Sequence, residues 1–513
     1  MSEFLWGVAT SAYQAEGGYN GPGQPQTNWA EVERRGDVAS VGLAADFWNR
    51  FPEDFARCRD LGLNAFRLGL EWSRIQPTHV DRMGAPPPFN AKALDHYVEM
   101  LAECRRNDLE PVVTLHHFVH PAWLGSDPWL DPTTGELFAR YVEHTLLHVN
   151  RALIDRHGLP PIRYYITINE PNMLVLNTYL GTQFPGRQRR LNGLRTLAEA
   201  YRNILSAHLR AYNLIHRLAE EQGWPDPMVT FNNYCSDLYW SDKVLLDLLS
   251  IRERGVKASG LRDYVYYKIR EFERAFADAA LPLKRDLPSL AGSLTKRMSN
   301  WLGYKTFMPD LFRSLADELY AAERPVAFDY IGLDYYDPFA VHIFRLPVWW
   351  DHEFKDKSLR SWLMSSFTSK WWDWRVLPAG MHFFCEYYSR DYGDRKVLIA
   401  ENGMALRRRS DNRNSQRRDR MTRSRFLKLH IAEVNRMVAA GVPLLGYLHW
   451  SLFDNYEWGS FTPRFGLYAI DYQRDNDRLV EDHLGDRPSL TYARLVSEAR
   501  QLALEQSGVT DSA

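Results

Sequence analysis

The chain has 513 residues, of which 45% are hydrophobic and 25% are charged, as in a globular protein with a large core. Its 63 Lys and Arg residues nearly balance its 64 Asp and Glu residues, so the overall charge does not favour binding to nucleic acid or to an anionic membrane. The four cysteines are scattered without a Cys-x-x-Cys pair, which excludes a zinc signature and a disulfide framework and favours a reducing compartment.

The first residues already have the composition of a strand, and no basic region followed by a long apolar stretch precedes them. The sequence therefore indicates no signal peptide, and no apolar run reaches the length of a membrane span. We expect a soluble, cytoplasmic protein.

Short apolar runs alternate with amphipathic helical patterns along the whole chain. Eight runs are predicted to be buried strands, at Phe4–Ala9, Asn64–Leu70, Pro111–Leu115, Tyr164–Ile168, Met228–Phe231, Tyr330–Leu333, Val397–Ala400 and Leu444–Leu448. Helices are predicted at Asp54–Leu61, Ala91–Arg106, Phe138–His157, Leu197–Gln222, Arg423–Ala440 and Thr491–Leu504. This alternation predicts an α/β fold, a single (β/α)8 TIM barrel formed by residues 1–506 with a flexible tail at 507–513.

Two connections are much longer than the others. The segment Asn232–Asp329 follows the fifth strand and contains helical patterns at Lys243–Arg254, Leu261–Ala280 and Met308–Ala322. The segment Phe339–Arg395 follows the sixth strand and contains six tryptophans, namely Trp349, Trp350, Trp362, Trp371, Trp372 and Trp374. Insertions in a barrel enzyme usually extend the loops at its catalytic face, so both are expected there, with the tryptophans either packing a loop or lining the entrance to a site.

Two strands end directly in a glutamate. Glu170 follows the fourth strand, beside Asn169 and before Pro171, and Glu401 ends the seventh strand before the turn pair Asn402-Gly403. Two carboxylates at the C-terminal ends of barrel strands face the same pocket, which is the arrangement that glycoside hydrolysis needs.

Other strand ends carry amides, an imidazole, carboxylates and indoles, together with a buried arginine that needs an anionic partner. They include Gln14, Glu16, Arg67, His116, His117, Asn169, Asp334, Tyr335, Tyr336, Trp450, Asp454, Asn455, Glu457 and Trp458. Amide, imidazole and carboxylate groups bind sugar hydroxyls, and an indole face covers the apolar face of a pyranose. The pattern therefore predicts a pocket for a sugar ring.

Five separated motifs, in this order and spacing, resemble glycoside hydrolase family 1. They are Phe4–Gly17, Phe66–Ile75, Thr167–Pro171, Ala400–Gly403 and Trp450–Trp458, and the likeness extends to about Asp471. The resemblance implies a retaining β-glycosidase on a (β/α)8 barrel that acts on a small-molecule β-glycoside, and no cofactor or metal is expected.

The resemblance also implies a role for each matched residue. Glu170 would be the general acid/base, Glu401 the nucleophile, and Arg67 and Tyr336 the pair that holds the nucleophile. The residues expected to bind the sugar are Gln14, His117, Asn169, Trp450, Glu457 and Trp458. Retention would require the two carboxyls to lie about 5–5.5 Å apart, with Glu401 ionised and Glu170 protonated.

The chain departs from the family pattern in three places near these residues, one of which is the loop Gly459–Pro463 beside Glu457, a residue shorter than usual. Phe118 stands where the family usually has Trp, and Asp334 replaces the usual Asn before Tyr335-Tyr336, which adds a carboxyl close to the nucleophile. Glu457 and Trp458 argue against a 6-phosphorylated sugar, because the Glu457 carboxylate would repel the phosphate.

The segment Asn232–Asp329 is the least family-like part of the chain. Its basic and aromatic residues are compatible with a helix that contacts a membrane surface, and they include Lys284, Arg285, Lys296, Arg297, Trp301, Tyr304, Lys305 and Phe307. A hydrolase or transglycosylase of glycolipids or steryl glycosides is therefore an alternative, and a non-catalytic sugar-binding protein is a further one that turnover of an aryl β-glucoside would exclude. Glucose, galactose and fucose all stay open as the glycone, and the sequence does not indicate an oligomeric state.

Overall fold

A computed structural model describes residues 4–78, 86–180, 184–186, 193–283, 287–306, 312–342, 374–408, 413–417 and 419–508. Eight parallel strands form a closed barrel in which the first strand pairs with both the second and the last. The barrel strands are β1 (Leu5–Ala9), β2 (Ala65–Gly69), β3 (Glu110–Thr114), β4 (Tyr164–Asn169), β5 (Met228–Tyr234), β6 (Ile331–Tyr335), β7 (Val397–Asn402) and β10 (Leu444–Trp450). The predicted strands and the (β/α)8 TIM barrel are confirmed.

Helices connect the strands and cover the outside of the barrel. They are α1 (Ala12–Glu16), α2 (Ala30–Arg34), α3 (Phe47–Asp60), α4 (Trp72–Ile75), α5 (Ala91–Arg106), α6 (Thr134–His157), α7 (Pro171–Val175), α8 (Gly193–Gln222), α9 (Lys243–Leu249), α10 (Leu261–Asp278), α11 (Leu287–Thr306), α12 (Arg313–Ala321), α13 (Pro378–Asp391), α14 (Arg423–Ala439) and α15 (Pro488–Gly508). Single turns of 3₁₀ or π type lie at Ala122–Leu124, Pro128–Leu130, Leu176–Leu180, Tyr239–Ser241, Ala258–Gly260 and Ala340–His342.

The side chains of the barrel strands alternate between two apolar cores. Phe66 and Leu68 of β2 point outward and pack in the core between the strands and the helices, whereas Ala65 belongs to the core inside the barrel. The alternation places Arg67 inside the barrel with Ala65. A charged side chain in this interior needs partners, and they lie at the C-terminal end of the barrel.

The regular pairing of the strands shifts near that end. The β4–β5 register changes between Ile166 and Asn169, and the β6–β7 register changes where Asp334 pairs with Glu401. An extra residue in a strand changes which side chains face inward beyond it. Ala400 lies in the inner core, and the shift allows the neighbouring Glu401 to face inward as well.

The insertion after β5 contains α9 to α12, and α11 lies in the basic and aromatic stretch described above as compatible with a helix. Helix α9 ends at Leu249, earlier than the predicted Arg254, because the following residues form turns. Lys296 of α11 does not belong to an exposed basic surface: its ammonium group lies 3.7 Å from the centroid of the Phe276 ring and 3.6 Å from the Asp237 carboxylate. Lys284, Arg285 and Phe307, named above for a membrane-facing pattern, lie outside the described residues.

The insertion after β6 is described only in part. Five of its six tryptophans, Trp349, Trp350, Trp362, Trp371 and Trp372, lie outside the described residues. The sixth, Trp374, packs against Tyr336 and Phe465, with ring centroids 4.8 Å and 5.7 Å away. Since Tyr336 is one of the predicted site residues, this part of the insertion borders the site.

Two small sheets were not predicted. The strands β8 (Leu406–Arg408), β9 (Asn414–Ser415) and β11 (Pro463–Arg464) form one of them, and β12 (Ala469–Asp471) pairs with β13 (Asp477–Leu479) in the other. At the C-terminus, Ser507 and Gly508 belong to α15 and not to the tail, while residues 509–513 lie outside the described residues. Among the residues that the structure describes, no helix is both long and apolar enough to cross a membrane.

Candidate active site

Glu170 lies at the junction of β4 and α7. It is buried and has a left-handed backbone conformation, with φ at 36° and ψ at 63°, which strains a residue that carries a side chain. Pro171 then begins α7, a position where its missing N–H is no loss. The Glu170 N–H donates to the carbonyl oxygen of Asn232 at 2.8 Å, which attaches this turn to the end of β5.

Two donors hold the carboxylate of Glu401 at the end of β7. Nη1 of Arg67 donates to its Oε1 at 2.7 Å, and the Tyr336 hydroxyl donates to its Oε2 at 2.8 Å. Beyond Glu401 the chain turns at Gly403, where a Cβ would lie 2.1 Å from the carbonyl oxygen of Trp450. Glycine is therefore required for the ends of β7 and β10 to approach this closely.

Arg67 is itself held on several sides. Its Nε donates to the Thr114 hydroxyl at 2.9 Å, and its Nη2 donates to the side-chain oxygen of Asn169. The side chain of Arg67 is fully buried. The guanidinium therefore joins β2, β3, β4 and β7 inside the barrel and fixes the position of Glu401 relative to Asn169.

Three carboxyl groups meet beside Arg67. One oxygen from each of Glu170, Asp334 and Glu401 lies within 4.8 Å of the others. Within the described part of the chain, these are the acidic side chains close enough to hold a metal ion together. The Arg67 guanidinium already supplies a positive charge to Glu401, so the site does not need a cation to balance that carboxylate.

The two glutamates differ in their surroundings. Burial raises the pKa of Glu170 well above its usual value, and the neighbouring charges of Asp334 and Glu401 raise it further. Burial also raises the pKa of Glu401, but Arg67 and the Tyr336 hydroxyl act in the opposite direction. A proton is therefore held more firmly on Glu170 than on Glu401, whose carboxylate Arg67 and Tyr336 stabilise.

Aromatic side chains form one wall beside these carboxyls. The His117 imidazole stacks between Trp450 and Trp458, with centroids 5.8 Å and 5.7 Å away and ring planes within 12°. Trp450 Nε1 donates to Glu457 Oε1 at 3.1 Å. Phe118, which stands where the resemblance led us to expect tryptophan, packs against Trp458 at 4.8 Å.

Two buried polar atoms near this wall have no hydrogen-bond partner among the described residues. They are Nε2 of Gln14 and Nδ1 of His117. Burial lowers the pKa of His117 well below its usual value, and the charge of Arg67 lowers it further, so the imidazole is neutral. Its other nitrogen, Nε2, lies 3.3 Å from the side-chain amide of Asn169. These atoms are suited to bind hydroxyl groups that enter the site.

The structure brings the predicted site residues to one end of the barrel. Direct contacts connect eight of them, namely Arg67, His117, Asn169, Tyr336, Glu401, Trp450, Glu457 and Trp458. The ninth, Glu170, has a carboxyl oxygen within 4.8 Å of one of Glu401. The tenth, Gln14, is connected through the backbone: its carbonyl oxygen accepts from Tyr456 N–H at 3.0 Å, next to Glu457.

The family model described as glycosyl hydrolase family 1 matches residues 1–232 and 288–483. The chain belongs to glycosyl hydrolase family 1. Between the two matched parts, residues 233–287 contain α9 and α10 and so fall within the insertion after β5; residues 484–513 are also outside the match. The departure from the family that we expected in Asn232–Asp329 is thus confined to its first part.

Individual relatives match nearly the whole chain. Beta-glucosidase A of Thermotoga maritima is 26% identical over 494 residues, which cover 93% of this chain and 94% of that protein. A 6-phospho-beta-galactosidase of Streptococcus equi subsp. zooepidemicus is 26% identical over 488 residues, covering 92% and 93%. The solved structure of a family 1 β-glucosidase from Thermotoga maritima superposes with a TM-score of 0.66 at 22% identity, covering 97% of this chain and 98% of that one. Family membership makes the protein a glycosidase.

One polar residue of this family 1 site was not predicted. The side-chain amide of Asn232 donates to Asn169 Oδ1 at 2.9 Å and also to Asp334 Oδ2. Its position at the end of β5, like that of Asn169 at the end of β4, is the signal in the sequence that could have identified it. Asn232 links the amide beside Glu170 to the carboxyl beside Glu401.

Proposed function

We propose that the protein is a retaining β-glycosidase that hydrolyses terminal, non-reducing β-D-glucosyl residues. Glu401 is the nucleophile and Glu170 the general acid/base. The observation that carries the proposal is the pair of buried carboxyls whose nearest oxygens lie within 4.8 Å, with Arg67 and Tyr336 bonded to one of them. Inverting enzymes separate their carboxyls by about 6.5–9.5 Å to admit a water, so this spacing favours retention.

In the first half-reaction, an oxygen of Glu401 attacks the anomeric carbon and the bond from that carbon to the aglycone oxygen breaks. The proton of Glu170 moves to the leaving oxygen, so the aglycone departs as a neutral alcohol. Arg67 and Tyr336 hold the Glu401 carboxylate in place for the attack. The products of this step are the glycosyl ester of Glu401 and ionised Glu170.

In the second half-reaction, Glu170 accepts a proton from a water molecule as the water attacks the same carbon. The ester bond to Glu401 breaks, Glu401 returns as a carboxylate, and Glu170 is protonated again. Two displacements at one carbon give a product with the β configuration of the substrate. The overall reaction consumes only the glycoside and one water molecule.

The glycone is held by the aromatic wall and the amides. His117, Asn169 and Gln14 offer hydrogen-bonding groups to the sugar hydroxyls, and Glu457 offers a buried carboxylate. Carboxylate and phosphate repel one another, so Glu457 favours an unphosphorylated sugar. The similarity to a β-glucosidase therefore guides our assignment more than the equal similarity to a 6-phospho-β-galactosidase.

A panel of 4-nitrophenyl β-glycosides tests this assignment. We expect the glucoside to be hydrolysed and its 6-phosphate to have a kcat/KM lower by about 100-fold or more, because a like-charge contact costs several kcal/mol. Proton NMR should detect β-glucose before the α-anomer. If α-glucose is released first, retention is wrong; if the 6-phosphate is preferred, the role of Glu457 is wrong.

A second candidate is the hydrolysis or transfer of sugars with an apolar aglycone. Four large apolar side chains of α11 are exposed, namely Leu290 (64%), Leu294 (61%), Met298 (53%) and Trp301 (57%). Helix α11 packs against the turn Ala340–His342, which follows β6 at the catalytic end of the barrel. Octyl β-glucoside and cellobiose in the same panel separate the two candidates, since only an apolar subsite gives the octyl compound the higher kcat/KM.

Substitution of the proposed acid/base tests the mechanism directly. In Glu170→Ala we expect kcat/KM to fall by about 10²–10⁴-fold for alkyl glucosides, whose leaving groups need a proton. It should fall far less for 2,4-dinitrophenyl glucoside, which leaves as a stable anion. Azide should restore turnover of the activated substrate and give the β-glucosyl azide. Equal losses for both substrates would contradict the role of Glu170.

A further inference from the structure

The third carboxyl of the site, Asp334, has no role in the two steps above. Its side chain is fully buried at the end of β6, and its Cα pairs with that of Glu401 on β7. Asn232 donates to its Oδ2, and Oδ1 lies 3.9 Å from Nη1 of Arg67. Among the described residues, no N–H or hydroxyl group donates to Oδ1.

The Asp334 carboxyl also lies beside the carboxyl of Glu170: one oxygen of each is within 4.8 Å of the other and of an oxygen of Glu401. Two ionised carboxylates are only acceptors, so this pair can share a hydrogen bond only when one of its members carries a proton. The count of charges in the site favours such a proton. Three ionised carboxyls would face the single guanidinium of Arg67 in a buried site, and like charges this close are not all ionised together.

We propose that Asp334 is a positioning residue for Glu170, with one proton held between the two carboxyls and directed toward the aglycone oxygen. The inference rests on the proposed acid/base role of Glu170. It assigns to Asp334 a contribution that an asparagine, the residue usual in the family at this position, cannot make through a shared proton. Burial and the charge of Glu401 raise the pKa of Asp334 well above its usual value, which supports the sharing.

The charge of Arg67 favours transfer of the shared proton to the leaving oxygen. In the free enzyme its guanidinium is bonded to Glu401, and Asp334 lies farther away, at 3.9 Å. Formation of the glycosyl ester removes the charge of Glu401 while Glu170 gives its proton to the leaving oxygen. Arg67 then faces the two carboxylates Glu170 and Asp334, whereas before the step it faced the carboxylate of Glu401 and the single negative charge of the pair. The loss of the proton from the pair is therefore balanced by the loss of charge on the nucleophile.

The test is the pH dependence of kcat/KM for phenyl β-glucoside in Asp334→Asn. The variant keeps the shape of the side chain and removes the like charge next to Glu170, so we expect the alkaline limb to move down by about one pH unit or more. The matched control is Asp242→Asn, which removes a buried carboxyl whose pKa burial raises to about 7 and which accepts from Tyr388. Asp242→Asn should leave the alkaline limb in place.

The outcomes separate this inference from the proposed function. If Glu170→Ala shows the expected dependence on the leaving group but the alkaline limb of Asp334→Asn does not move, the role of Asp334 is wrong and that of Glu170 stands. If Asp242→Asn moves the limb equally, the effect is not specific and the inference fails. If Glu170→Ala slows all substrates alike, the proposed function fails first. Should Asp334→Asn not fold, Asp334→Ser removes the same carboxyl and is expected to shift the limb in the same direction.

Discussion

Replacement of Glu401 by glycine is expected to abolish hydrolysis, with kcat lower by about 10⁵-fold, as for other enzymes that lose a covalent nucleophile. The Glu401 side chain forms the covalent bond that holds the sugar to the enzyme between the two half-reactions. The variant should still place the substrate, because the aromatic wall of His117, Trp450 and Trp458 does not depend on Glu401. An α-glucosyl fluoride and an acceptor sugar should therefore give a β-linked product without hydrolysis.

Trapping of the wild-type enzyme gives the complementary evidence. A 2,4-dinitrophenyl 2-deoxy-2-fluoro-β-glucoside should inactivate it with time, and peptide mapping should place the label on Glu401. The matched control is Glu433→Gln, which alters a buried carboxyl of α14 that accepts from Arg436 and contacts His382. It should keep activity and remain sensitive to the label. A label on any other residue would contradict the assignment of the nucleophile.

Replacement of Arg67 by methionine is expected to damage both stability and catalysis. The change leaves the carboxylate of Glu401 buried without its guanidinium, and breaking such a pair costs about 3–5 kcal/mol. Because Arg67 lowers the pKa of Glu401, its loss should move the acid limb of kcat/KM to higher pH. The folded variant then binds protons more tightly than the unfolded chain does, so its deficit in Tm should shrink as the pH falls.

The control for Arg67 is another buried ion pair. Arg478 Nη2 lies 2.7 Å from Asp54 Oδ2, and neither side chain is exposed. Arg478→Met should lower Tm by a comparable amount and leave the acid limb in place, because its partner is not catalytic. If both variants shift the acid limb of kcat/KM alike, or if Arg67→Met leaves that limb in place, then Arg67 does not lower the pKa of Glu401.

Much of the barrel could be predicted from the sequence because each strand contains a short apolar run and helical patterns separate these runs. Which side chains face the site could not be derived in the same way. Strict alternation from Ile166, in the inner core, would turn Asn169 outward, yet it bonds to Arg67 inside the barrel. The register shift between Ile166 and Asn169 makes the difference, and shifts of this kind are set by contacts between strands.

Other differences have the same origin in tertiary contacts. The predicted helix at Asp54–Leu61 begins earlier, at Phe47, and continues through Pro52, although proline disfavours a helix interior. Phe47 stacks on Phe66 with centroids 5.6 Å apart, so burial outweighs the local preference. Asp334 was identified as a departure from the family, but its closeness to Glu170 depends on how β4 and β6 face each other across the barrel.

The ion pairs of Arg67 also bear on how the chain folds as it is made. Both carboxylates within ion-pair distance of the guanidinium, Asp334 and Glu401, belong to the second half of the barrel. During synthesis the N-terminal half emerges first, so Arg67 is placed in its interior without either of these two ion-pair partners. A separately expressed fragment ending after β5 would have the same defect. We therefore expect such a fragment to become compact only when the complementary fragment is added, so that the two halves fold as one cooperative unit.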